Sequence, residues 1–181
     1  MEGPDLSTAD RIQKAIEARR ENRFTDARRE LLEAVALLRL AGTPQELAPA
    51  LKALGQVERD LGHGDAALPL YEEAAVIYRR AADPLALAHT VRHVGDIHRG
   101  AGRPDLAAPC YLEALTLYRS TDRTDPLDLA NALRPLAILE EAAGRTEAAA
   151  GFWREACDLY ARANVAEGAA ECAARLDGLG A

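Results

Sequence analysis

The sequence predicts an all-α fold, a right-handed superhelical solenoid of four antiparallel helix pairs plus a C-terminal capping helix. Three observations predict it. Landmark residues return every 40 to 42 positions, and each period holds two stretches of helical apolar spacing. Aromatic residues are 4% of a chain that is 49% hydrophobic, so the core must be Ala, Leu and Val. Such small side chains let helices approach closely, which suits helix-on-helix packing better than a sheet sandwich.

The register is read from glycine, tyrosine and proline. Gly55 and Gly62 recur as Gly95 and Gly102, and Tyr71, Ala74 and Tyr78 recur as Tyr111, Ala114 and Tyr118. A third copy carries Ala137, Gly144, Trp153, Ala156 and Tyr160, and a weaker early copy carries Ala15, Asn22, Leu31, Ala34 and Leu38. Pro4, Pro44, Pro84 and Pro126 each stand eleven residues before Ala15, Gly55, Gly95 and Ala137. One domain over 1–181 is expected, in units of about 5–43, 44–83, 84–125 and 126–164, with the capping helix over 165–178.

Each first helix opens on a capping residue and proline: Thr43-Pro44, Asp83-Pro84 and Asp125-Pro126. The side-chain oxygen accepts an orphan N–H, and proline's missing donor costs nothing at the first helical position. Thr43 and Glu46 have capping-box spacing, and Leu47, Leu51, Leu54, Val57 and Leu61 follow the helical period. Gly62, Gly102 and Gly144 end this helix in the left-handed conformation. Asp65, Asp105 and Glu147 then favour the positive end of the second helix. Ala27, Ala67, Ala107 and Ala149 keep one position small where paired helices touch. In the final helix Ala169, Ala173 and Leu176 are placed to cover the exposed end of the last pair.

Charge and cysteine use narrow the function. Among 181 residues the net charge is −7, which argues against broad phosphate binding and hence against nucleic acid. No apolar run approaches a membrane span, and the acidic start is no signal peptide. Cys110, Cys157 and Cys172 are odd in number and share no C-x-x-C spacing, so buried small hydrophobes in a reduced cytoplasmic compartment are expected. Lysine occurs only at Lys14 and Lys52, the base usage of a GC-rich genome.

The repeat resembles the tetratricopeptide repeat. Leu51-x-x-Leu54-Gly55 with Ala67-x-x-x-Tyr71-x-x-Ala74 fits that pattern, as does Val91-x-x-Val94-Gly95 with Ala107-x-x-x-Tyr111-x-x-Ala114. Leu133-x-x-Leu136-Ala137 with Ala149-x-x-x-Trp153-x-x-Ala156 fits with Ala in place of Gly. The first unit keeps Ala27, Leu31 and Ala34 but has Arg11 and Lys14 at first-helix positions, as an exposed outer helix would. Against the usual period of 34, the longer period here is similar to the repeats of kinesin light chain and related bacterial scaffolds. The resemblance covers residues 7 to 178 and implies an architecture rather than a partner.

No phosphate loop, H-E-x-x-H or nucleophile elbow occurs, and polar residues spread along the repeats instead of converging, so no enzyme and no cofactor are expected. His89 and His93, at i, i+4 with Asp96 one turn on, have spacing for a divalent metal, against the plainer reading of solvated histidines; no metal site is assigned. His98 takes the place of Glu58 and Glu140 and reads as a packed helix-face residue. Tyr71, Tyr111 and Trp153 read as core wedges.

One constellation remains. Lys52, Arg92 and Arg134 share a position, and Arg19, Arg59 and Arg99 share another seven residues on, so both ladders lie on one helical face. The resemblance places that face on a concave groove that takes peptides, where Gln56, His89, Asp96 and Asn131 would join them. Stacked cations repel, so either carboxylates such as Glu58, Asp60, Asp96 and Glu141 offset them or a ligand does. A ligand would be acidic or polar and extended, since Arg presents a planar fork to carboxylates. The family's carboxylate clamp for chaperone C-termini uses Lys and Asn where this chain has Ile12 and Ile16, which argues against chaperone tails. Those isoleucines would take an apolar anchor of a peptide or simply pack. The expected function is a noncovalent scaffold for a protein or peptide. The alternatives are a self-association module and a regulatory domain of a bacterial signalling system.

Overall fold

The computed structural model describes residues 6–180, and Pro4 and the start of the first expected unit lie outside them. Every element among the described residues is a helix. They are α1 (Thr8–Arg20), α2 (Phe24–Ala41), α3 (Pro44–Asp60), α4 (Gly64–Arg80), α5 (Pro84–Gly100), α6 (Pro104–Arg119), α7 (Pro126–Ala142), α8 (Thr146–Arg162) and α9 (Ala166–Leu179). The chain divides into two compact units at the Asp83–Pro84 junction. In the first, α1 packs on α2, α2 on α3 and α3 on α4; in the second the same succession runs from α5 to α9.

Local chemistry sets the helix ends. Thr43 accepts from the Glu46 N–H while the Glu46 carboxylate accepts from the Thr43 N–H at 2.8 Å, the reciprocal cap expected. A second capping box joins Ser7 and Asp10 at the head of α1. Asp125 caps α7 by accepting from Leu127 N at 2.8 Å. The turns inside the pairs place Gly62, Gly102 and Gly144 at φ of 82°, 69° and 73°, and Asn22 takes the same conformation at 57° in the first pair. Pro49, Pro69 and Pro109 are not markers of helix starts; each is the sixth residue of its helix. Pro135 lies deeper, within α7, and is buried.

Packing follows the small–large alternation of the repeat. Ala27, Ala67, Ala107 and Ala149 are completely buried, as are Tyr71, Tyr111 and Trp153. A Cβ on Gly55 would lie 3.0 Å from the Tyr71 ring, so glycine there lets the paired helix approach.

Three expectations need correction. α1 is mostly exposed, Lys14 included, but Arg11 is largely covered, 3.2 Å from Glu30, and Lys14 reaches the same buried carboxylate at 2.7 Å. The cations at these α1 positions thus meet an acid that α2 places beneath them. In α9 the fully buried residue is Cys172, whereas Ala173 is exposed and Ala169 and Leu176 are half-buried. Of the cysteines, only Cys172 is a buried hydrophobe; Cys110 and Cys157 are half-buried.

Candidate binding face

Four candidate residues lie in the first unit. Arg19, near the end of α1, donates Nε to Asp60 at 2.6 Å. Lys52 and Arg59 are half-buried on α3. Gln56 donates to Asp60 at 3.0 Å and accepts from the Tyr71 hydroxyl at 3.4 Å. Ile16 is 38% exposed and Ile12 half-buried, so an apolar patch of α1 does reach solvent.

The other six lie in the second unit, where a polar network gathers three of them with His93 and Tyr111. Arg92 is 3.3 Å from Asp96, which also lies 3.3 Å from His93 Nδ1 and accepts from the Tyr111 hydroxyl at 2.9 Å. Arg99 Nε donates to that same hydroxyl at 3.3 Å. Arg92 and Arg99 are thus linked through Asp96 and Tyr111, and burial beside the Asp96 carboxylate holds the Tyr111 phenol above its ordinary range. His89 Nδ1 stands 3.0 Å from the Tyr118 hydroxyl, with Nε2 3.5 Å from Asp128. Asn131 accepts from the Tyr160 hydroxyl at 3.0 Å. Arg134 makes a two-pronged contact with Glu171 of α9 at 2.7 and 2.8 Å. That pairing holds the Glu171 carboxyl below its usual range.

The carboxylates divide their work differently from expectation. Asp60 and Asp96 take ladder cations, Arg19 and Arg92. Glu58 instead is buried under Arg28 and His63, at 2.7 and 2.8 Å. Glu141 takes the Trp153 indole N–H and Arg175. Charge on the candidate face is therefore offset internally at Arg19, Arg92 and Arg134 before any ligand arrives.

Sequence reasoning missed the tyrosines of the second helices and Glu171. Tyr78, Tyr118 and Tyr160 recur in register, which was the available signal, but the reach of the Tyr118 and Tyr160 hydroxyls to His89 and Asn131 depends on packing. His89 and His93 do not converge on a metal, and no group of three or more acidic, His or Cys side chains among the described residues is arranged for one. His98 is half-buried with its Nδ1 covered and unpaired, so it packs without a partner for that atom. No described helix is long and apolar enough to cross a membrane.

Comparison with known proteins gives the fold a family. No curated protein matches by sequence. Two family models, both of the tetratricopeptide repeat, match residues 50–84 and 85–162, together a continuous stretch of more than half the chain. Among crystal structures, that of a point variant of a kinesin-light-chain-type protein of Podosopora anserina, with nearly identical TPR-like repeats, superposes at TM-score 0.76. It is 13% identical, and the match covers 97% of this chain and 87% of that one. Another structure of such repeats from the same organism matches at TM-score 0.70 and 13% identity, covering 99% and 97%. BtubC (BKLC) from P. vanneervenii matches at 0.69 and 18% identity, covering 91% of this chain and 76% of that one. These likenesses show the all-α repeat fold, and such repeats serve in general as protein-interaction scaffolds. With its 40- to 42-residue period, its paired helices and both family matches, the chain belongs to the tetratricopeptide-repeat family, in a form similar to kinesin light chain.

Proposed function

We propose that this protein is a noncatalytic scaffold that holds an extended acidic or polar peptide, or such a segment of a partner protein, against the first-helix face of its repeats. The observation that carries the reading is the linked set Arg92, Asp96, Tyr111 and Arg99. It fixes two guanidinium groups two turns apart on α5 and leaves Arg99 exposed. Donors held in place by a network lose little freedom on meeting a ligand, which favours capture. Because Asp96 stands among them, the face offers an acceptor beside its donors and suits a mixed polar segment as well as an acidic one. In this reading His89, Asn131 and Arg134 extend that face within the second unit, and Arg19, Lys52, Gln56 and Arg59 make the corresponding face of the first.

The test is selection of binding peptides from a random display library, followed by binding of the selected peptides to Arg92→Gln/Arg99→Gln protein at rising salt. Glutamine is chosen because glutamate would repel Asp96 and confuse binding with folding. The double variant is expected to lose capture at unchanged helicity, and wild-type capture is expected to weaken as salt screens the contacts. Unaltered capture by the variant overturns the reading.

A second reading, self-association, draws on α2, where Leu32, Leu37 and Leu40 are 42%, 43% and 85% exposed. Sedimentation would show a concentration-dependent dimer that barely responds to salt and is lost in Leu37→Lys/Leu40→Lys protein.

A further inference from the structure

The last helix pair brings two thiols face to face. In antiparallel helices, equal steps in opposite directions along the two chains land on facing residues. Two contacts between α8 and α9 fix that register. A Cβ on Gly168 would lie 2.7 Å from the Tyr160 ring, and two turns away the Arg175 guanidinium stands 5.8 Å over the Trp153 ring. Cys157 lies three residues before Tyr160 and four after Trp153. Cys172 lies four residues after Gly168 and three before Arg175. The two cysteines therefore face each other between those contacts.

The helices also run close. Cys157 has a side chain only two atoms long, yet its Sγ is 3.6 Å from the carbonyl oxygen of Ala169, one turn before Cys172. A disulfide needs Cα atoms within about 7 Å, and small residues such as Gly168 on α9 and the buried Ala156 on α8 bring helix axes that near. Burial, and after it the charge of nearby Cys157, pushes the Cys172 thiol up to about 11. Both sulfurs are free thiols in the structure. Cys157 is half-buried and Cys172 completely buried, so a small oxidant meets Cys157 first.

We propose that Cys157 and Cys172 form a redox site at which hydrogen peroxide closes a disulfide that clips α9 to α8. The Cys157 thiolate attacks one peroxide oxygen, the O–O bond breaks, and a sulfenic acid forms as hydroxide leaves and is protonated to water. The Cys172 sulfur then attacks the Cys157 sulfur, the S–O bond breaks, and the departing hydroxide takes the Cys172 proton as a second water. Two thiols thus lose two electrons and two protons, and one peroxide becomes two waters. In a reducing compartment such a bond is a transient signal rather than a permanent staple. While it lasts it fixes α9, whose Glu171 sits on Arg134. The site stands independently of the peptide-scaffold reading.

The test uses full-length protein and peroxide raised until Cys110 begins to oxidise. Cys110, half-buried on α6 with Sγ donating to the Leu106 carbonyl at 3.3 Å, is the internal reference for ordinary thiol oxidation. The protein is alkylated under denaturing conditions and cut with trypsin, whose cleavage after Arg154, Arg162 and Arg175 puts Cys157 and Cys172 on separate peptides. One cross-linked pair of those peptides, lighter by two hydrogen atoms and parted by dithiothreitol, is expected before Cys110 reacts. Cys157→Ser is expected to leave Cys172 fully alkylatable, and Cys172→Ala to stop Cys157 at a sulfenic acid that dimedone traps. Hydrogen exchange of α9 amides is expected to slow roughly tenfold or more in the cross-linked protein. Cys157 and Cys172 still on separate peptides once Cys110 oxidises, a bond to Cys110 or between chains, or unchanged exchange in α9 overturns the proposal.

Discussion

The ring of Tyr111 lies against Gly95 so closely that a Cβ on the glycine would meet Cε1 at 2.8 Å. The ring is completely buried, flanked by its own helix and unable to withdraw. Gly95→Ala is therefore expected to destabilise the protein by about 1–3 kcal/mol, overpacking outweighing the helix propensity gained. Gly151, exposed in α8 with nothing within 4 Å of its missing Cβ, is the control. Gly151→Ala is expected to stabilise by up to about 1 kcal/mol, and urea denaturation of both variants checks the opposite signs.

Glu30 is 3% exposed and held by Lys14 at 2.7 Å, with Arg11 and Arg29 beside it. The Lys14 hydrogen bond holds its carboxyl below the ordinary carboxylate range. A depressed folded value means this stabilisation is complete above the unfolded value near 4.5 and is lost as pH falls through the folded one. Glu30→Gln is expected to cost about 2 kcal/mol at neutral pH and to flatten the loss of stability on acidification, as followed by circular dichroism.

Tyr78 and Tyr118 are equivalent in the repeat but differ in partners, the first having none for its hydroxyl among the described residues and the second having His89 at 3.0 Å. Tyr118→Phe is expected to cost about 1 kcal/mol in denaturant titrations, and Tyr78→Phe to leave stability within about 0.5 kcal/mol of wild type.

Burial raises the phenols of Tyr78 and Tyr118 to about 12, and those of Tyr111 and Tyr160 also rise. A raised folded value means that the contribution is whole below the unfolded pKa near 10 and is lost between there and about 12. Melting temperature is expected to hold up to about pH 10 and then fall, with tyrosinate absorbance in the near ultraviolet rising late and together with unfolding.

Much of the fold was legible because it is a local message repeated. Thr43 with Glu46, Asp125 before Pro126, and the left-handed Gly62 act within four residues of themselves, and repetition in register multiplied each signal. That Arg11 is covered was not legible because its acid, Glu30, lies 19 residues away on another helix, where linear spacing says nothing of contact.

The candidate face divides in the same way. That Lys52, Arg92 and Arg134 share a position is a property of the sequence, since a 40- to 42-residue period carries each side chain to the same place on its helix. Which of them is neutralised was decided by tertiary structure. Arg134 reaches Glu171 across 37 residues and Arg19 reaches Asp60 across 41, while Lys52 is half-buried with the Asp83 charge acting on it. Helical geometry fixes the direction in which a side chain leaves its own axis, and only the packing of one axis against another fixes what it meets.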